Sequence, residues 1–404
     1  MISLDEKFID LGAENAPGQE VRQDTSTLDA ITRGDKLGGA PVDFSHGDVD
    51  AFPPAPDAHA AWKRGFERGG HQAYTEYRGD SAIRHDVAAR LSTFTGAHLE
   101  ADQELIITPG TQGALFLAIG SVVDQGTKVA VMEPDYFANR KLVRFFGGEI
   151  ISIPLIYAKV APDKGPDLNK LEQAFRDGTR VLVFSTPNNP TGLIYSKAAI
   201  ESIATLSSRY NVTVIVDQLY SRLLYGGEKY YHLRACNSCP ENIVTIMGPS
   251  KTESLSGFRL GAAFGTPKLI ERMEKLQAIV SLRAAGYNQA TLNTWFAEPK
   301  GWLADRIVQH ESIRDDLLKI FQHASLETAT PQGGSYIFPK LPTLIHAPNI
   351  FVQLLRHQAS VTVTPGNEFS PHTANSIRLN FSQDHKAAAA AAKRVVEMVQ
   401  RYQI

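Results

Sequence analysis

Lys251 and Arg259 are the residues whose types and spacing suggest chemistry most directly. The apolar run at 243–247 reads as a buried strand, and Gly248-Pro249-Ser250 as a tight turn that holds Lys251 at its end. Partial desolvation there lowers an ammonium's pKa and frees the amine to attack a carbonyl, which makes Lys251 a Schiff-base candidate. Arg259 lies between Gly257 and Gly261, small neighbours that let a guanidinium approach a doubly charged phosphate and fork onto two of its oxygens. An aldehyde-seeking lysine and a phosphate-seeking arginine together suggest pyridoxal phosphate; either alone would read as an ordinary charge on a surface turn.

Positioning such groups requires a scaffold, and the chain repeats one grammar of short apolar strand, turn and helix. Residues 105–107 lead into Thr108-Pro109-Gly110-Thr111-Gln112-Gly113 and an apolar helix, and 128–132 into Glu133-Pro134-Asp135-Tyr136. Residues 181–184 lead into Ser185-Thr186-Pro187-Asn188-Asn189-Pro190-Thr191-Gly192, and 212–216 into Asp217-Gln218-Leu219-Tyr220. Strands that are apolar throughout and alternate with helices indicate an α/β fold, a mostly parallel sheet covered by helices on both faces. Such sheets place ligands beyond their carboxyl ends, where these polar turns fall. After Gly261 the pattern changes to long helices at 269–280 and 299–321, strands at 333–338 and 361–363, and an alanine-rich terminal helix from Ser382. The expected division is an N-terminal arm and small-domain segment at 1–45, a large cofactor-binding domain at 46–290 and a smaller α+β domain at 291–404.

The 404 residues exceed one comfortable core, and 43% hydrophobic with 21% charged residues marks a globular chain. A formal net charge of −2 gives no reason to expect nucleic acid or an anionic membrane as partner. The acidic start MISLDEKFIDLG has no signal-peptide core and no apolar stretch is of spanning length, so a cytoplasmic protein is expected. Cys236 and Cys239 form C-x-x-C with His232 upstream, but lack the further ligands of a structural zinc and the strand-to-helix turn of a redox motif. Two ordinary thiols in a surface loop, and no metal site, are expected.

From about Val42 to Ser382 these motifs, in order and spacing, resemble the class I/II aminotransferases, fold-type I pyridoxal-phosphate enzymes of aspartate-aminotransferase-like fold. The resemblance implies that Lys251 is the Schiff-base lysine and proton shuttle, that Asp217 pairs with the pyridine nitrogen, and that Tyr220 and Asn189 hydrogen-bond the ring oxygen. It makes Gly110, Thr111 and Gln112 a phosphate cradle at a helix start, helped by Ser250 and Arg259, and Tyr136 the aromatic residue stacked on the ring. Tyr74 would reach the phosphate of a neighbouring subunit, which implies a homodimer. Arg378, in Ser376-Ile377-Arg378-Leu379-Asn380, would grip the substrate α-carboxylate, with Asn189 and the backbone at Gly47 beside it. No role is assigned to His46, and Arg283 reads as a helix-surface salt bridge rather than a substrate ligand.

The chain departs from the family pattern at Gly248, where a Ser or Thr phosphate ligand is usual, and at Glu253, where an apolar residue is usual. Glu253 would be a solvated turn residue or would bias the pocket. The activity implied is ping-pong transfer of an amino group between an L-amino acid and a 2-oxo acid. The same apparatus could serve a β-eliminating carbon–sulfur lyase or an amino-acid oxidase; an effector-binding module would need a fused winged helix, for which residues 1–40 are too short and too acidic.

Overall fold

A computed structural model describes residues 4–9, 11–12, 18, 27–158 and 164–404. In chain order its strands are β1 (Val42–Asp43), β2 (Leu105–Pro109), β3 (Lys128–Glu133), β4 (Glu149–Ile156), β5 (Gly165–Pro166), β6 (Val181–Ser185) and β7 (Thr213–Asp217). They continue as β8 (Ile243–Met247), β9 (Leu260–Gly265), β10 (Tyr336–Ile337), β11 (Val361–Thr362), β12 (Thr364–Pro365) and β13 (Ile377–Asn380). The central sheet has the order β2-β9-β8-β7-β6-β3-β4-β5. Strands β4, β3, β6, β7 and β8 are mutually parallel, whereas β9 runs antiparallel to both its neighbours and β5 antiparallel to β4.

Alternation along the strands builds the two covering layers. Val129 and Val131 of β3 and Val181 and Val183 of β6 face the layer formed by helices Gly110–Gly120 and Pro267–Val280. Ala130, Met132, Leu182 and Phe184 face the opposite way, against helices Leu168–Arg176 and Lys197–Arg209. Burial on both faces explains why these strands are apolar through their middles, with polar residues only at their ends, and why the helices had to supply the polar surface. A separate core gathers Leu28, Val42, Phe44 and Phe52 with Ile313, Leu317, Phe321 and the terminal helix His385–Tyr402. Parallel pairing of β1 with β11 stitches the early segment to the late one.

The sequence reading contains no strand at 260–265, yet β9 is buried at every residue. Its sequence LGAAFG is poor in β-branched residues, but close backbone approach decides the matter: a Cβ on Gly265 would lie 1.9 Å from the Ile243 carbonyl oxygen, and one on Gly261 2.6 Å from the Gly110 carbonyl carbon. The terminal helix starts at His385, capped by the Asp384 side chain on the Ala387 N–H, rather than at Ser382. Among the described residues no helix is long and apolar enough to cross a membrane.

Candidate active site

The register of the central sheet brings its polar turns to one rim. Pro109 pairs with Leu260, so Gly110 at the start of helix Gly110–Gly120 faces Arg259, and Ser185 pairs with Asp217, which in turn pairs with Ile246 ahead of the Lys251 turn. At this rim lies a cavity of about 460 Å³. Thr111, Gln112, Tyr136 and Asn189 line it, as do Asp217, Tyr220, Ser250, Lys251, Arg259 and, from β13, Arg378. Ser45 and His46 line it as well.

Its charged groups lack the partners expected of them. The Lys251 ammonium makes no hydrogen bond or ion pair with a described residue. Asp217 accepts one hydrogen bond, from the Leu219 N–H at 2.9 Å, and burial pushes its carboxyl up to about 6. Arg378 is 2% exposed and donates to Asn189 Oδ1 at 3.0 Å, the Ser45 carbonyl at 2.8 Å and Thr364 Oγ1 at 3.3 Å, all neutral acceptors. Its Nε is buried with no acceptor at all. A buried guanidinium without a counter-ion is poised for a carboxylate.

Arg259 adopts the left-handed conformation at φ +54° and donates to the Ser256 carbonyl. Gly110, at φ +75°, favours glycine for its backbone, and a Cβ there would meet Arg259 Nη2 at 2.8 Å and push the guanidinium from its place. Open N–H groups at the helix start, facing a guanidinium, make a cradle for a dianion. Tyr136 closes one side, its hydroxyl donating to Gln112 Oε1 at 2.9 Å.

Other expectations fall elsewhere. Tyr74 is 82% exposed, outside the cavity, with Arg283 stacked over its ring at 5.7 Å. Arg283 forms no ion pair with a described residue; it donates to the Thr75 carbonyl and also lies over Tyr77, so the surface salt bridge expected of it is replaced by aromatic stacking. Gly47 borders an adjoining cavity beside Ser382. Glu253 is neither solvated nor in the cavity: it is 2% exposed and paired with Arg222. At Gly248 a Cβ would lie 2.8 Å from Thr111 Cγ2, so packing against the cradle accounts for the missing hydroxyl there. Cys236 and Cys239 are free and partly buried against a sheet core rather than loose on the surface, and burial raises both thiols. Among the described residues no group of three or more His, Cys, Asp or Glu could hold a metal.

Sequence reasoning missed Tyr336, Ser185 and Asp135. Tyr336 lies on β10, its hydroxyl bonded to that of Tyr220 and its ring under Arg378 at 4.3 Å. Burial raises Tyr220; burial opposes ionisation of Tyr336 too, but Arg378 and then Lys251 outweigh it, so Tyr336 is the readier of the pair to ionise. The signal was its place in Gly333-Gly334-Ser335-Tyr336, a small-residue lead that lets backbone crowd the cavity. Ser185 donates its N–H and its hydroxyl to the buried Asp135 carboxylate, and its oxygen accepts the Asn189 N–H. Asp135 thereby ties the Tyr136 turn to the Asn189 turn.

Comparison with known proteins points to one family. The family described as Aminotransferase class I and II matches residues 41–395. The chain is 28% identical to a putative aminotransferase of Bacillus subtilis over 78% of its length and 80% of the relative's. It is 26% identical to the aspartate/prephenate aminotransferase of Thermus thermophilus, covering 96% and 95% of the two chains. The crystal structure of an aspartate aminotransferase from Rhodobacter sphaeroides superposes with a TM-score of 0.95 at 57% identity, covering 100% of both chains.

Proposed function

The chain belongs to the class I and II aminotransferases, and from that premise we propose that it uses pyridoxal phosphate to move an amino group between an L-amino acid and a 2-oxo acid by a ping-pong route. The observation that carries the reading is the meeting, in one cavity, of an unpaired amine at Lys251, an unpaired carboxyl at Asp217 and an unpaired guanidinium at Arg378. These residues fit the cofactor and an amino acid. Gly110, Thr111, Gln112, Ser250 and Arg259 would hold the phosphate, Tyr136 would cover the ring, and Asp217 would face its nitrogen. The bound cofactor supplies an electron sink for the carbanion that forms at the substrate's α-carbon.

The protein's own groups would do the rest. Arg378, held by Asn189 and the Ser45 carbonyl, would grip the α-carboxylate and so orient the α-hydrogen. The Lys251 amine, once free, would take that proton and return it on the other side of the transfer. Asp217, half-buried in the cavity wall, would hold a proton on the ring nitrogen. Tyr220 and Tyr336 would hold the ring's oxygen side through their shared hydrogen bond. Tyr74 would complete the site of a second copy of this chain.

Aspartate is the donor to test first, because the Rhodobacter sphaeroides relative is named for it. With aspartate alone, one oxo acid per site should form and the reaction should stop; adding a 2-oxo acid should restart it. Continuous turnover without an acceptor would favour a lyase or oxidase instead. Borohydride reduction and peptide mapping should place the label on Lys251.

A further inference from the structure

Four buried charged side chains lie directly behind the Lys251 turn. Arg222, on the turn that follows Asp217 and Tyr220, pairs with Glu253, two residues beyond Lys251, and with both oxygens of Glu298 at 2.7 and 3.0 Å. Arg306, on helix Trp302–His323, donates through Nη1 to the Thr252 carbonyl at 2.8 Å and to Ser254 Oγ at 2.7 Å, and through Nη2 to the Pro53 carbonyl. Aromatic rings close over both guanidiniums, Phe296 at 4.1 Å from Arg222 and Trp302 at 4.2 Å from Arg306. The Arg222, Glu253 and Glu298 side chains are 8%, 3% and 6% exposed. Two positive and two negative charges buried together are expensive to desolvate, so an apolar cluster would have served packing at least as well.

What these contacts hold is the backbone that carries Lys251. Its amine makes no hydrogen bond or ion pair with a described residue, so the turn at 249–256 is what places it. Ser254 stands there at φ +56°, a conformation that non-glycine residues keep only when their surroundings enforce it. Arg306 grips the residues on either side of Glu253, and Arg222 grips Glu253 itself while belonging to the Asp217 turn. We infer that the Arg222–Glu253–Glu298–Arg306 network positions the Lys251 amine against Asp217 and Tyr220, with Glu253 as the link between the two turns. These are positioning residues; none of the four lines the cavity.

The inference rests on the cofactor reading above, and the test separates the two. The holoenzyme without substrate is titrated with pH and the midpoint of its visible absorbance change recorded, alongside melting temperature and steady-state kinetics. Glu253→Gln keeps the shape and removes the charge; Arg222→Met with Glu253→Met removes the link, and Glu298→Gln is added to that variant so that no carboxylate is left buried without its guanidinium. In both, the midpoint should move by about half a pH unit or more, because the Lys251 amine meets altered neighbours. The value of kcat should fall about 10- to 100-fold, the scale of an ångström's misplacement, with KM for aspartate little changed. A network that only stabilises would lower the melting temperature and leave midpoint and kcat alone, and that result would overturn the inference. Failure of both variants to fold would overturn it too, by making the network part of the core. A borohydride label on Lys251 in wild type and variants leaves the cofactor reading standing whichever way the midpoint goes; absence of the label from wild type would end both.

Discussion

Asp135 is a buried carboxyl and Asp217 a half-buried one in the cavity wall, and they stand in unequal company. Asp135 accepts from the Tyr136 N–H at 2.6 Å, the Ser185 N–H at 2.9 Å and the Ser185 hydroxyl, whereas Asp217 has the Leu219 N–H alone. Burial nonetheless dominates both, pushing Asp217 up to about 6 and Asp135 up to about 8, with the nearby Asp217 charge adding to the latter. Both therefore bind a proton more tightly folded than unfolded, where a carboxyl titrates near ~3.9. Their stabilising contribution is complete below that value and is lost as pH rises through about 6 for Asp217 and about 8 for Asp135. The cofactor-free protein should accordingly melt lower at pH 8.5 than at pH 5, with Asp217 accounting for about 1.4 kcal/mol of that difference at most. Asp217→Asn should remove the part of that slope that lies below about pH 6, and so should bound cofactor, whose cationic ring would hold Asp217 ionised. Equal slopes in thermal melts of the apo wild type and apo Asp217→Asn would contradict the assignment. At this scale the sequence was informative because Asp217 closes a strand, Arg378 occupies one and Lys251 sits on the turn just after one, and the burial of the first and third strands could be read from their apolar runs. Asp135 was not legible: its importance comes from Ser185, a residue 50 positions away that only sheet pairing brings near.

Strands and their following turns were legible for the same reason that they are buried. A strand covered on both faces must be apolar throughout, and where polarity resumes the chain has reached the rim. Strand β9 escaped because its information is volume, not hydrophobicity. Gly248 belongs to the same crowding: its missing Cβ leaves room for Thr111 Cγ2 at 2.8 Å and for Gly261 Cα at 3.2 Å, the latter a backbone atom that cannot step aside. Gly248→Ser would restore the hydroxyl usual in the family and displace the start of helix Gly110–Gly120. Overpacking of this kind costs about 1–3 kcal/mol. The expected result is a lower melting temperature and faster loss of cofactor on dialysis, despite the added hydrogen-bonding group. Tighter retention in Gly248→Ser would mean that the cradle yields, and that the glycine leaves a phosphate contact unmade rather than serving the packing.

The whole molecule poses the question of what the exposed Tyr74 is for. Its ring is 82% exposed and stands with Tyr77 around Arg283, beside helix Gly286–Gln289, while the cavity it was expected to serve opens elsewhere on the same chain. An exposed aromatic ring beside a second one, Tyr77, is out of place on a monomer's surface. A symmetric dimer resolves this if Tyr74 of each copy enters the other's site, since an isologous pairing exchanges the two residues reciprocally. Complementation tests it without any structure of the pair. Lys251→Ala and Tyr74→Ala proteins are each expected to be poorly active alone. Unfolded together and refolded at equal amounts, half of the dimers should be hybrids in which one site has Lys251 from one copy and Tyr74 from the other, both intact. The other site of each hybrid lacks both, so the mixture should recover about a quarter of wild-type activity. Recovery no greater than the average of the two parents, with sedimentation showing dimers, would place Tyr74 outside any shared site.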